Sequence, residues 1–107
     1  MSVVVNPSPA MTFVELDGTA QYSILVINTW EDWDLTALIP ANALAVLVNT
    51  AAGNNAYGVR PNNSAQARIV GGYGYSMVSR HANRIIECYS SALGGAGGLF
   101  YLLGYWV

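Results

Sequence analysis

Chain breakers recur too often in this sequence for any long helix. Asp17-Gly18 and then "PAN", "AAGNN", "RPNNS", "GGYG", "RHAN" and "GGAGG" cut the chain into short apolar runs. The cuts fall about every 8–12 residues, the spacing of a β-sandwich or barrel. Gly and Asn take positive φ at little cost, so these clusters read as turns. Asp17-Gly18, between two extended segments, is a strong hairpin signal. The runs between the breakers predict strands near Thr12–Leu16, Gln21–Asn28, Leu35–Ile39, Ala45–Asn49, Tyr57–Arg60, Ala67–Val70, Tyr75–Val78, Ile85–Ser90 and Leu99–Trp106. Only "PANALAVLV" looks helical, and Val46, Leu47 and Val48 in it suit a strand better. The expectation is an all-β chain: an antiparallel, jelly-roll-like β-sandwich of about 8–9 short strands. Residues 1–10, with Pro7 and Pro9, read as an extended N-terminal arm before one domain over 11–107.

A sheet with one wet face alternates apolar and polar residues. Two segments here do not. In "QYSILVIN", Tyr22, Ile24 and Val26 fall on one face and Leu25 and Ile27 on the other. In "LFYLLGYWV", Leu99, Tyr101, Leu103 and Tyr105 alternate with Phe100, Leu102 and Trp106. A thin two-sheet domain turns only one face of each sheet to its core, so the second apolar face calls for a partner. Composition agrees. The 107 residues are 53% hydrophobic and 9% charged, and none is lysine, against about 25% charged in ordinary domains. Ile24, Val26, Tyr101, Leu103, Tyr105 and Trp106 are therefore the expected subunit-interface residues. The expected partner is a second copy of the chain. A net charge of −2 and four scattered arginines give nucleic acid nothing to grip. "MSVVVNPSPA" lacks the basic start of a signal peptide, and no apolar run reaches the length of a membrane helix.

Candidate chemistry is sparse. Cys88, the one cysteine, sits in "RIIECYSS" and reads as a buried, inert thiol. His81 has no second His or Cys to make a metal site with it. Glu31, Asp32 and Asp34 in "NTWEDWDL" are neighbours in what reads as a loop. They do not face one another across a cleft as glycosidase carboxylates do, nor follow the calcium-loop spacing. The glycine clusters lack the Lys-Ser/Thr of a phosphate loop. The expectation is a protein with no enzymatic activity, no cofactor and no metal. The best binding residues are aromatic: Trp30, Trp33, Tyr73 and Tyr75, with Asp34 beside them. Such rings stack on the apolar faces of sugars while a carboxylate takes hydroxyls, so these five are the candidate glycan contacts.

One pattern resembles a known family. "LIPANALAVLVNT", "YGVRPNNSAQARIV", "HANRIIECYSS" and "FYLLGYW", spanning Leu38 to Trp106, resemble small β-sandwich modules of bacteriophage virion proteins, found in head-decoration and tail-fibre contexts. The resemblance implies a structural role without catalysis, in symmetric sets with homotrimers favoured. It implies a location in the virion, with a capsid or tail protein as second partner. A carbohydrate-binding tip domain is the alternative.

Overall fold

The computed structural model describes residues 11–50, 55–67, 69–71, 74–79 and 83–107. Among them are nine strands: β1 (Phe13–Glu15), β2 (Gln21–Ser23), β3 (Glu31–Asp34), β4 (Ala45–Thr50), β5 (Ala56–Pro61), β6 (Val70–Gly71), β7 (Gly74–Ser79), β8 (Ile85–Ser90) and β9 (Leu99–Trp106). The only helical element among these residues is a 3-10 turn at Gly94–Ala96. The chain is all-β, in two antiparallel sheets. One has the order β1-β9-β4-β7, with β2 also paired to β9; the other has the order β3-β8-β5-β6. The expected arm at residues 1–10 lies outside the described residues.

The core draws on both sheets. Val46, Val48, Phe100 and Leu102 from the first cluster with Trp33, Tyr57, Ile86 and Cys88 from the second, joined by Ile24, Leu35 and Ile39 from the loops. Large buried side chains of this kind each contribute about 1.5–3 kcal/mol by leaving water. The C-terminal segment owes its place to that term. β9 lies inside its sheet, with β4 on one side and β1 and β2 on the other.

Asp17-Gly18 does not turn a hairpin. β1 pairs with Gly104–Trp106 and β2 with Leu99–Tyr101, both antiparallel to β9, so together they form one interrupted strand along it. Residues 17–19 loop out between them. The Leu16 amide donates to Leu103 O and the Leu102 amide to Ala20 O, so β9 advances by one residue while its partner advances by four. Asp17 Oδ1 closes the loop by accepting from the Thr19 amide and hydroxyl, and these bonds hold its carboxyl below the usual carboxylate range. Two strands with a long common partner need no pairing with each other.

A bulge rearranges the other side of β9. Leu47 stands opposite Gly104 and Val48 opposite Leu102, so Leu103 is an extra residue with no partner in β4. A bulge of this kind reverses the inward–outward alternation beyond it. Tyr105 therefore faces Val46 and packs against the core, while Tyr101 faces Asn49 on the other side. The strict alternation that groups Tyr101, Leu103 and Tyr105 on one face does not hold. Gly104 sits under β1: a Cβ there would overlap the Phe13 ring and meet Val14 O at 2.5 Å.

Three further strand expectations change. Of the predicted Ala67–Val70 strand, Ala67 and Ile69 lie outside any strand, and β6 covers Val70–Gly71. Leu35–Ile39 is a turn, with the Leu38 and Ile39 amides both donating to Leu35 O. Asp34 initiates it by accepting from the Thr36 amide at 2.9 Å and from its hydroxyl, and the Arg84 guanidinium takes the carbonyls of Thr36 and Ile39. The strand instead falls on the acidic "EDWD". The predicted Gln21–Asn28 strand ends at Ser23, and residues 24–30 form a loop.

Candidate functional surfaces

Three surfaces carry the residues of interest. The first is the loop after β2. Ile24 is in the core, 2% exposed, but Leu25, Val26 and Ile27 are 75%, 56% and 46% exposed. This loop is held in place. The Glu31 carboxylate accepts the Leu25 amide at 3.1 Å and the Val26 amide at 2.8 Å, and also the Tyr22 hydroxyl at 2.7 Å. Asn28, at φ 56, turns the chain in the left-handed region that Asn tolerates, and its amide donates to Ser90 O. The Ile24 amide bonds Gly98 O and the Gly94 amide bonds Ile24 O, which brings exposed Leu93 to the same end. A carboxylate thus fixes the backbone of Leu25 and Val26 while their side chains, with that of Ile27, face water.

The second surface lies at the other end of β9. The Phe13 and Trp106 rings meet at 4.8 Å, opposite each other in the β1–β9 pairing. The Leu44 amide donates to Trp106 O, and the Thr12 amide to Val107 O. Met11, Phe13 and Leu44 are exposed there, and Trp106 is half-buried.

The third is the outward face of the β3-β8-β5-β6 sheet. Trp30 packs on Tyr89 at 5.4 Å, and the Arg60 guanidinium lies 4.0 Å over the Trp30 ring. Arg60 Nε donates to Glu87 Oε1 at 2.7 Å. Glu87 is itself buried, and its other oxygen accepts the Asn63 amide at 2.8 Å. Asn62 Nδ2 reaches Asp32 at 3.1 Å, and the Tyr89 hydroxyl reaches Asn28 at 3.0 Å. Each buried charge is paired and hydrogen-bonded, as burial demands. The result is an aromatic ledge of Trp30 and Tyr89 edged by Asn28 and Asp32.

Of the five expected glycan residues, Trp30, Trp33 and Asp34 have described side chains, and these three do not share one surface. Trp33 is 6% exposed, on the core side of β3 opposite Ile86, so it offers no ring face to solvent. Asp34 caps the turn after β3, and its bonds to Thr36 lower its carboxyl below the usual range. Tyr73 lies outside the described residues, and Tyr75 is placed by its backbone opposite Asn49. Among those with described side chains, Asp34 is exposed and Trp30 half-buried at the surface, and sequence reasoning missed Tyr89 and Arg60, the companions of Trp30. A period-two count along "RIIECYS" puts Glu87 and Tyr89 on one face, which was the available signal.

Of the expected interface residues, Ile24 is in the core and Val26 on the exposed loop. Tyr101, Leu103, Tyr105 and Trp106 are all half-buried, with Tyr105 against the core. Cys88 is fully buried in the apolar core, which pushes its thiol well up. His81 lies outside the described residues. Among the described residues no group of three His, Cys, Asp or Glu could hold a metal ion, and no helix is long and apolar enough to cross a membrane. Comparison with protein-family models, curated proteins and solved structures yields no match.

Proposed function

We propose that this protein is a structural subunit that acts by self-assembly, as a capsid decoration, cement or fibre protein of a bacteriophage virion. The observation that carries the reading is the Leu25–Ile27 loop. Three consecutive apolar side chains are exposed, yet the backbone of the first two, Leu25 and Val26, is fastened by Glu31. An ordered, solvent-facing apolar projection is unfavourable unless something covers it. The low charge of the whole chain points the same way. The reading assigns the protein no catalytic step.

The strand order supports it. We read the two sheets as the layers of a sandwich, with β1 and β2 as one interrupted first strand. The orders β1-β9-β4-β7 and β3-β8-β5-β6 are then those of a jelly roll, an architecture of viral capsid and lectin domains. A fold does not name a function, so the virion assignment rests on the resemblance of Leu38–Trp106 and on the exposed apolar surface. Sedimentation and native mass measurement test the reading. An assembly is expected, with contacts of about 2,000 Å² or more if the association is obligate. A clean monomer at micromolar concentration overturns it.

The Trp30–Tyr89 ledge favours a second reading, a glycan-binding tip. Here the tilted rings supply stacking, and Asn28 and Asp32 supply polar contacts. A glycan array with the native protein and Trp30→Ala decides it. Signal lost with Trp30→Ala supports glycan binding, and an array without signal removes it.

A further inference from the structure

Asp17-Gly18 turns no hairpin, and its chemistry is left without a role. Asp17 is exposed on the loop-out between β1 and β2. Gly18 follows it at φ 76, with nothing within 4 Å of the place a Cβ would take. The Gly18 amide donates to no acceptor among the described residues. An unbonded amide nitrogen, with no side chain beside it, has free access to the carboxyl of the residue before it. Asp34 supplies the contrast. It takes from the Thr36 amide and hydroxyl the same pair of bonds that Asp17 takes from Thr19. Yet the amide after Asp34 belongs to Leu35, which is fully buried, and it donates to Arg84 O at 2.7 Å. That nitrogen is both engaged and shielded.

We propose that Asp17 is a modification site, where aspartate converts to isoaspartate in the folded protein by way of a succinimide, and that Thr19 restrains the reaction. The Gly18 nitrogen gives up its proton and bonds to Cγ of the protonated Asp17 carboxyl. A Cγ–O bond breaks and one water leaves. One water then opens the ring. Its addition at Cγ restores aspartate. Its addition at the Asp17 main-chain carbonyl breaks the bond to the Gly18 nitrogen, and the chain then runs on through Cγ. Thr19 opposes the first step. Its amide and hydroxyl hold Oδ1 at 3.0 and 2.7 Å and favour the carboxylate, which accepts a nucleophile less readily than the acid. The fold accommodates the product. Isoaspartate adds one atom to the main chain, and within a strand that would disturb the register beyond it. Residues 17–19 stand outside the pairing of β1 and β2 with β9. The bonds of Leu16 to Leu103 and of Leu102 to Ala20 close the ladder on either side of them.

The test is incubation of the full chain at neutral pH, with isoaspartate detected by enzymatic methylation and located by peptide mapping. Isoaspartate is expected at Asp17 and not at Asp34, in protein that keeps its native circular dichroism. Thr19→Val loses the hydroxyl and keeps the shape. It is expected to react about fivefold faster, the effect of one hydrogen bond to the reactant. Thr19→Ser, which keeps the hydroxyl, is expected to react at the native rate. Isoaspartate that forms only in urea, that forms equally at Asp34, or that abolishes the native spectrum overturns the site. Thr19→Val reacting no faster than the native chain, or Thr19→Ser reacting as fast as Thr19→Val, overturns the restraint.

Discussion

Tyr22 donates its phenolic proton to Glu31 Oε1 at 2.7 Å, a bond that ties β2 in one sheet to β3 in the other. The Tyr22 ring lies 6.0 Å from that of Trp33, so the same contact joins polar and apolar packing between the layers. Glu31 also clamps the loop that carries Leu25 and Val26. One carboxylate thus couples the stacking of the sheets to the display of the exposed apolar loop.

Replacing Glu31 tests that coupling. Glu31→Ala removes an ionised acceptor from two amides and a hydroxyl, and hydrogen bonds to charged groups contribute about 1.5–3 kcal/mol. We expect a stability loss of about 2–3 kcal/mol, seen as a lower urea midpoint with an unchanged slope. Glu31→Gln, which keeps one acceptor oxygen, loses less. Equal midpoints for all three proteins would refute the clamp.

The Tyr22 phenol predicts an alkaline limb. Burial first, and then the bond to Glu31, raise it above its ordinary value of 10.0. The folded state therefore keeps this proton at pH values where the unfolded chain has released it. The stabilisation is fully present below pH 10.0 and is lost as pH climbs above that toward the raised native value. Urea midpoints measured through this range should fall less steeply for Tyr22→Phe than for the native protein. An identical slope would count against the assignment.

Gly104 is held to glycine by space. An added Cβ would press on the Phe13 ring and on Val14 O, and the second contact is backbone. Gly104→Ala is expected to cost about 1–3 kcal/mol, as overpacking does. It should also speed hydrogen exchange at the Thr12 and Leu16 amides, which bond Val107 and Leu103 across the same junction. Unchanged exchange at both amides would show that β1 does not need the gap.

Cys88 supplies a probe of opening. Its thiol is fully buried and pushed well up by desolvation. Since thiolates do the chemistry, a thiol reagent should label the native protein only as fast as the core opens. Rapid labelling under native conditions would contradict this placement.

The two neighbouring tryptophans should separate cleanly. Trp33→Ala empties a core position and is expected to cost about 3–5 kcal/mol. Trp30→Ala removes a half-buried ring stacked with Arg60 and Tyr89, with an expected cost of about 1 kcal/mol. Equal losses in thermal unfolding would mean that the two rings share one environment.

Much of the architecture was present in the sequence. Breaker spacing and β-branched runs are local properties, and they located β8 and β9 to the residue and β4 and β5 to within one residue at each end. The all-β class and the burial of Cys88 came from the same local signals. What sequence could not settle was which side of a strand faces in, because that depends on register against a partner distant along the chain. Leu103 bulges against β4, and Tyr105 turns to the core. β9 runs past both β1 and β2, so Asp17-Gly18 makes a loop-out instead of a hairpin. Trp33 lands opposite Ile86 and is buried, while Trp30, outside the ladder, meets Tyr89 and Arg60. Local chemistry determined most of the segments that become strands, β4, β5, β8 and β9 among them. Only the pairing of distant strands decided which side chains form the core and which stand at the surface, because that pairing sets the face of every residue along a strand.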